Sequence, residues 1–312
     1  MRAIRVHETG GPEVLRCEEV ADPRPGPGEV LVRLRAAGVN PVETYIRAGQ
    51  FGRRPDLPYT PGSDGAGEVL GAGKGVAGFR PGARVWVAGA PTYAEMVAAP
   101  ARAVLPLPEH LSYEQGAAIG IPYRTAYLAV HLAGLAQPGD AVLVRGGSGA
   151  VGVAAIQIAA AHGCRVVATA GTDRGRELVS AQGAAAAGHD DEERLRELAG
   201  GGYDVIVEML ANANLPSDLA LLAPRGRIAV VGSRGPVTID PRQIMQRTAS
   251  VRGVMGMTDD ERRRVDAALL AGLRQRTLVP VVGRRFPLEE AASAHVAVMS
   301  PGAGGKVVLT MP

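Results

Sequence analysis

The sequence predicts an α/β protein built from a doubly wound parallel sheet and a smaller, partly closed β domain. Three observations carry this. The apolar, partly β-branched run Ala141-Val142-Leu143-Val144 suits a buried parallel strand. It leads into Gly146-Gly147-Ser148-Gly149-Ala150-Val151-Gly152 and an alanine-rich segment of high helix propensity. Further strand-like runs then alternate with helical ones, the βαβ rhythm of a doubly wound fold. Before residue 110, short strand-like runs separated by Gly and Pro point to a compact β domain instead.

Taken in order, residues 3–6, 14–18 and 30–34 form strands punctuated by Gly10-Gly11-Pro12 and Pro23-Arg24-Pro25-Gly26-Pro27-Gly28. Residues 68–70, 84–87 and 94–98 continue the series. Ser112-Tyr113-Glu114-Gln115 is a capping box. A helix over 125–135 ends near Gly134, and strands follow at 141–144, 165–169, 204–208 and 227–231. A helix covers 192–198 and another 259–273, and strands at 279–282 and 306–309 close the chain. The expected domains are 1–121, a nucleotide-binding 122–257, and a return to the first domain over 258–312.

With 46% hydrophobic and 21% charged residues in 312, the chain supports folded cores. The formal net charge is +3, and no basic block argues for nucleic acid. Lysine occurs only as Lys74 and Lys306. Cys17 and Cys164 cannot form a metal cluster or a disulfide framework, which suits a reducing cytoplasm. No run approaches the roughly 20 apolar residues of a membrane helix, and residues 1–7 lack a signal-peptide core.

The glycine turn lies where a dinucleotide fingerprint requires it, after a strand and before a helix. Gly147, Gly149 and Gly152 fill its three positions: a tight turn, an approach for pyrophosphate, and close packing of helix on strand. The helix start offers free N–H groups and the positive end of its dipole. The second strand ends in Ala170-Gly171-Thr172, without the acid that would hold a ribose 2′-hydroxyl. Asp173, Arg174 and Arg176 follow. A missing acid beside arginines suits a 2′-phosphate, hence NADPH rather than NADH.

Several longer strings carry a resemblance. They are Gly38-Val39-Asn40-Pro41-Val42-Glu43-Thr44-Tyr45-Ile46-Arg47, Leu57-Pro58-Tyr59-Thr60-Pro61-Gly62-Ser63-Asp64, Gln115-Gly116-Ala117-Ala118-Ile119-Gly120-Ile121-Pro122-Tyr123, Glu208-Met209-Leu210-Ala211-Asn212 and Val231-Gly232-Ser233-Arg234-Gly235. With the glycine turn, the chain resembles, end to end, the zeta-crystallin-type quinone oxidoreductases, the zinc-free branch of the medium-chain dehydrogenase/reductase superfamily. The resemblance implies a GroES-like, partly closed β-barrel catalytic domain joined to a Rossmann domain with a cleft between. It also implies a homo-oligomer, a dimer or tetramer. The superfamily's catalytic zinc ligands fall at Asn40, Ser63 and Ile121, none of them a good zinc donor.

The activity implied is reduction of quinones by hydride or electron transfer from NADPH without zinc. Matching positions give Asn40 and Tyr45 as catalytic and substrate candidates and Tyr123 as a further substrate contact. Tyr45 and Thr125 would lie near the nicotinamide. Ser148, Gly149, Ala150 and Val151 would hold the pyrophosphate. Gly171 and Arg174 would border the adenosine phosphate, although Gly175 stands where relatives often have Lys, and Arg176 is an alternative. His189, or Asp190 beside it, would face the adenine. Asn214 with Val231, Gly232, Ser233 and Arg234 would form a further cofactor loop, and Val254, Met255 and Gly256 a segment beside the nicotinamide. Structural readings stand beside these: Asn40 as a turn cap, Tyr45 as a packed aromatic. Glu43 and Asp64 are proton-donor candidates only through their nearness to Asn40 and Ser63. His7, His110, His131, His162 and His295 read as surface or satisfied histidines. Two other functions stay open. One is NADPH-dependent reduction of activated C=C bonds in enals or enones, with Tyr45 or Tyr123 delivering a proton. The other is an RNA-binding or structural protein that keeps the cofactor fold, which three Phe, one Trp and seven Tyr support poorly.

Overall fold

The computed structural model describes every residue except 51, 53 and 54. The chain forms two compact units, Met1–Ile121 with Pro280–Pro312, and Pro122–Val279.

In unit 1, β1 (Arg2–Arg5) and β2 (Arg16–Glu19) form an antiparallel ribbon. The strand expected from residue 14 starts later, because Pro12 at a helical first position sets off a 3₁₀ turn over Pro12–Val14. The eleven-residue β3 (Glu29–Val39) is the spine of the unit. It outruns the expected 30–34 because Ala36, Ala37 and Gly38 are small enough to continue between neighbouring strands. There follow α1 (Pro41–Arg47), β4 (Asp64–Ala72), β5 (Arg84–Ala88), β6 (Met96–Pro100), β7 (Val104–Pro106) and α2 (Tyr113–Gly116). Ser112 accepts from Gln115 N–H and Gln115 accepts from Ser112 N–H, so the capping box closes.

The helix α3 (Gly120–Tyr127) begins in the last two residues of the first segment of unit 1 and runs into unit 2, continued by a π-helical turn at Leu128–Ala133. This helix starts before the expected 125 because Pro122 lies in its first turn, where a missing N–H costs little. The parallel strands β8 (Ala141–Val144), β9 (Arg165–Thr169), β10 (Ala185–Ala187), β11 (Tyr203–Glu208), β12 (Leu222–Val230) and β13 (Ser250–Gly253) alternate with α4 (Ala150–Ala161), α5 (Asp173–Ala181), α6 (Glu192–Ala199), α7 (Ala211–Leu221) and α8 (Pro241–Arg247). Their order in the sheet is β10-β9-β8-β11-β12-β13, with the chain reversing its direction of travel between β8 and β11. That is the doubly wound order, and its ligand crevice lies outside the carboxyl ends of the strands. Leu143, Val167, Ile206 and Ile228 belong to its core.

The next helix, α9 (Asp259–Gln275), corrects the expected boundary at 258, since it belongs to unit 2. It buries Val265, Leu269 and Leu273, and Asp266 pairs with Arg124 through two hydrogen bonds of 2.7 and 2.8 Å. The backbone of Val279 is held by the Gln157 amide. The chain re-enters unit 1 at Pro280, and β14 (Val282–Pro287), α10 (Ala291–Met299) and β15 (Lys306–Thr310) follow. The sheet of unit 1 runs β14-β15-β3-β4-β5-β7, with β6 also on β3. Ile4, Val32, Leu34, Val85 and Leu309 share its core.

Candidate functional site

The dinucleotide fingerprint of unit 2 forms a turn from β8 into α4. Gly146 makes the tight turn with φ +67°, not Gly147 as the motif predicts. A Cβ on Gly147 would meet Ala168 Cβ at 2.7 Å, so its glycine is required by packing. At Gly152 a Cβ would come 2.3 Å from the Gly146 carbonyl, the close helix–turn contact expected there. Gly149 differs: its nearest such neighbour is the Gly146 carbonyl at 3.6 Å, leaving its outer side open. Gly149 is the N-cap of α4, and the first-turn amides of Ala150 and Val151 have no intrahelical acceptor. The first turn carries no acid, so an anion meets no repulsion there.

Three other segments converge beside this turn. A Cβ on Gly175, in the first turn of α5, would lie 3.3 Å from Ser148 Oγ. A Cβ on Gly171 would lie 3.0 Å from the His189 ring, whose Nδ1 bonds Thr169 Oγ1 at 2.9 Å. Burial holds His189 below its usual range, so the imidazole is neutral. Thr172 caps α5 by accepting from Gly175 N–H. Arg176 is tied to Asp173. Arg174, in the first turn of α5, is exposed and forms no ion pair among the described residues, leaving its guanidinium free. On the other side of β8, Asn214 donates to Glu208 Oε1 at 3.1 Å. The backbone N–H of Val231 and Gly232 reach the Glu208 carbonyl, and Asn212 Oδ1 accepts from Arg234 N–H at 2.7 Å. Ser233 and Arg234 are exposed there. Val254, Met255 and Gly256 line a shallow hollow with Leu128, Leu132 and Glu261, and Met255 is 80% exposed. Thr125 is half-buried on α3.

Tyr123 is corrected. It is buried, and its hydroxyl donates to Gln157 Oε1 at 2.8 Å, so it is a core residue with no free face for substrate or proton delivery.

In unit 1, Asn40 is the N-cap of α1 and is 2% exposed. Its amide donates to Glu43 Oε1 at 3.1 Å and Asp64 Oδ2 at 3.0 Å, and its carbonyl accepts from Lys306 Nζ. With its donors and carbonyl engaged, Asn40 is a structural anchor, which corrects its assignment as a catalytic and substrate residue and agrees with the turn-cap alternative. Glu43 and Asp64 are acceptors, not proton donors. Glu43 takes Asn40 N–H at 2.8 Å and Tyr93 O–H at 2.7 Å. Asp64 takes Lys306 Nζ at 3.0 Å and Ile121 N–H at 2.8 Å. Arg47 can only donate, so His295 Nδ1 accepts from it and Nε2–H is directed at Tyr93 Oη. Burial, then Arg47, lowers His295 to about 3, so the ring is neutral. Burial raises Glu43 and, with Glu43 beside it, holds Tyr93 well above its ordinary value. Tyr45, one helical turn along α1, is half-buried, and its hydroxyl makes no hydrogen bond among the described residues. The sequence reading missed Lys306. Its signal was a lone charge heading the apolar run Val307-Val308-Leu309.

A zinc ion does not fit here. Asn40, Ser63 and Ile121 supply neither thiolate nor imidazole, and the Lys306 ammonium already sits on Asn40. No group of three His, Cys, Asp or Glu side chains among the described residues could hold a metal.

Residues 26–109 match the alcohol dehydrogenase GroES-like domain and residues 150–271 the zinc-binding dehydrogenase domain. The chain is 45% identical to a quinone oxidoreductase of Homo sapiens, over all of this chain and 98% of that one. Among solved structures, one titled an NAD-dependent alcohol dehydrogenase superposes with a TM-score of 0.94 at 33% identity, covering both chains fully. A mycobacterial protein complexed with NADPH superposes with a TM-score of 0.90 at 32% identity, again over both whole chains. The two-unit architecture, the engaged Asn40 and this full-length identity agree: the chain belongs to the quinone oxidoreductase family of the medium-chain dehydrogenase/reductase superfamily.

Proposed function

We propose that the protein is a zinc-independent, NADPH-dependent quinone reductase. The observation that carries this reading is the end of β9, where no carboxylate stands at 170–172, the Asp173 carboxylate is taken by Arg176, and Arg174 has no ion-pair partner among the described residues. A ribose 2′-hydroxyl finds no acid there, and a 2′-phosphate finds a free guanidinium. Ser148, Gly149, Ala150 and Val151 hold the pyrophosphate, Gly171 and His189 flank the adenosine, and Asn214 with Val231, Gly232, Ser233 and Arg234 completes the cofactor loop. Thr125, Val254, Met255 and Gly256 face the nicotinamide. When bound, the reduced cofactor supplies the hydride or electrons. A quinone is already a strong acceptor and needs no Lewis acid. The free Tyr45 hydroxyl is the group assigned to the substrate, and Asn40 acts by anchoring α1, which carries it. The family resemblance supports a homo-oligomer, a dimer or tetramer, and two unpaired cysteines suit a cytoplasmic setting. No helix among the described residues is long and apolar enough to cross a membrane.

The test is steady-state turnover of benzoquinones, naphthoquinones and simple enones, with NADPH and NADH side by side. The reading expects quinones as the best acceptors and NADPH as the better donor. Preference for enones would replace the substrate class, and preference for NADH would remove the Arg174 argument. Chelators should leave turnover intact; one zinc per chain with chelator-sensitive activity would contradict the donor set found here.

A further inference from the structure

At the carboxyl end of β11 two fully buried carboxylates, Glu208 and Asp218, lack enough donors. Glu208 Oε1 accepts from Leu210 N–H and from Asn214 Nδ2. Asp218 Oδ1 accepts from Arg145 Nε at 2.8 Å. The other oxygen of each, Glu208 Oε2 and Asp218 Oδ2, is buried without a partner, and Asp218 lies one turn along α7 from Asn214, which bonds Glu208. The titratable neighbours supply one positive charge. Arg145, directly after β8, is that charge; His189, after β10, is neutral, and Tyr203 on β11 is raised to about 12 by burial. Two buried carboxylates beside one guanidinium leave an anion uncompensated, and a proton on Asp218 removes it. Burial, then Glu208, pushes the Asp218 carboxyl up.

We infer that Asp218 keeps a proton, directed at the unpartnered oxygen of Glu208, and that this pair positions two edges of the dinucleotide site. Glu208 orients Asn214 directly. Arg145, docked on Asp218, also donates to the His189 carbonyl and to Ser217 Oγ, each at 3.1 Å. Loss of the proton sets two anions against each other beneath Asn214 and the His189 segment. The positioning half of this inference rests on the NADPH reading of that site; the Asp218 proton does not.

The first experiment is infrared and carboxyl-carbon NMR titration of the cofactor-free protein from about pH 5 to about pH 9. A protonated carboxyl that persists at neutral pH and vanishes in Asp218→Asn is expected; full ionisation of both groups at neutral pH overturns the inference. The second is NADPH affinity over the same range, read by cofactor fluorescence. Wild-type binding should weaken several-fold relative to Asp218→Asn towards alkaline pH, because the amide donates permanently. Parallel profiles overturn the positioning role. Absent NADPH binding with the carboxyl proton in place overturns the cofactor reading instead. Glu208→Gln, which supplies the same permanent donor from the other side, repeats the test if Asp218→Asn does not fold.

Discussion

Each unit buries a pair of carboxylates, and the two pairs are satisfied differently. In unit 1, Glu43 receives three N–H or O–H donors and Asp64 receives three, with Lys306 and Arg47 in the same network. In unit 2, Glu208 and Asp218 face one cation, and each keeps an oxygen without a donor. The difference teaches that a buried carboxylate is interpreted by counting its donors. A full set makes a structural anchor, as in α1, and a deficit leaves room for a proton.

The largest effect that could break this contrast lies at Lys306. Lys306→Met should destabilise the protein by about 3–5 kcal/mol, because it leaves Asp64 buried and uncompensated. Urea unfolding measures it, and Lys306→Met with Asp64→Asn should recover most of the loss. A single variant no weaker than an exposed substitution would mean that unit 1 is not charge-balanced as described.

Acid should expose the next effect. The unfolded His295 imidazole takes its proton near 6.5 and the folded one only near 3, so protons favour the unfolded chain between those values. Stability from this group is complete above 6.5 and falls with pH by about 1.4 kcal/mol per unit, or about 2 kcal/mol by about pH 5. His295→Gln should flatten that limb. The Asp218 carboxyl, raised on folding, has the opposite sign: its contribution is lost as pH rises. Unfolding curves with the same slope in wild type and His295→Gln would refute the assignment.

At Arg174 the contrast moves to the surface, where a cation is left free. Arg174→Ala should raise KM for NADPH about tenfold, the worth of one charge-assisted hydrogen bond, with little change for NADH or in kcat. Equal weakening of both cofactors would make Arg174 structural. The smallest effect belongs to Asp218→Asn, which near neutral pH should cost less than about 1 kcal/mol, since the amide reproduces both the donor and the acceptor of a protonated carboxyl. A loss as large as that at Lys306 would erase the distinction between the two pairs.

Much of unit 2 was legible because its signals are local. The β8 strand, the glycine turn and α4 lie within about twenty residues, and the missing acid after β9 is read from the residues that follow the strand. The exchange of roles between Gly146 and Gly147 was not legible, because adjacent glycines are indistinguishable until the backbone shows which has positive φ and which faces Ala168. The boundary at Pro280 was hidden for a similar reason, since α9 has the same amphipathic pattern whichever unit it covers.

The sequence by itself determined the doubly wound order of strands and helices, the dinucleotide fingerprint, the lack of a carboxylate at 170–172 and the poverty of zinc donors at Asn40, Ser63 and Ile121. Each depends on residue type and short-range spacing. Only the tertiary structure decided that Asn40 is engaged rather than free, that Tyr123 is core, and that Lys306 supplies the cation of unit 1. Asn40 and Lys306 are 266 residues apart, brought together when β15 pairs with β3. Glu208 and Asp218 are buried near one another because α7 packs back on β11, where its Asn214 bonds Glu208. Burial removes the water that would otherwise satisfy these groups, so their charge and protonation follow from which partners the fold delivers, and no local pattern records that.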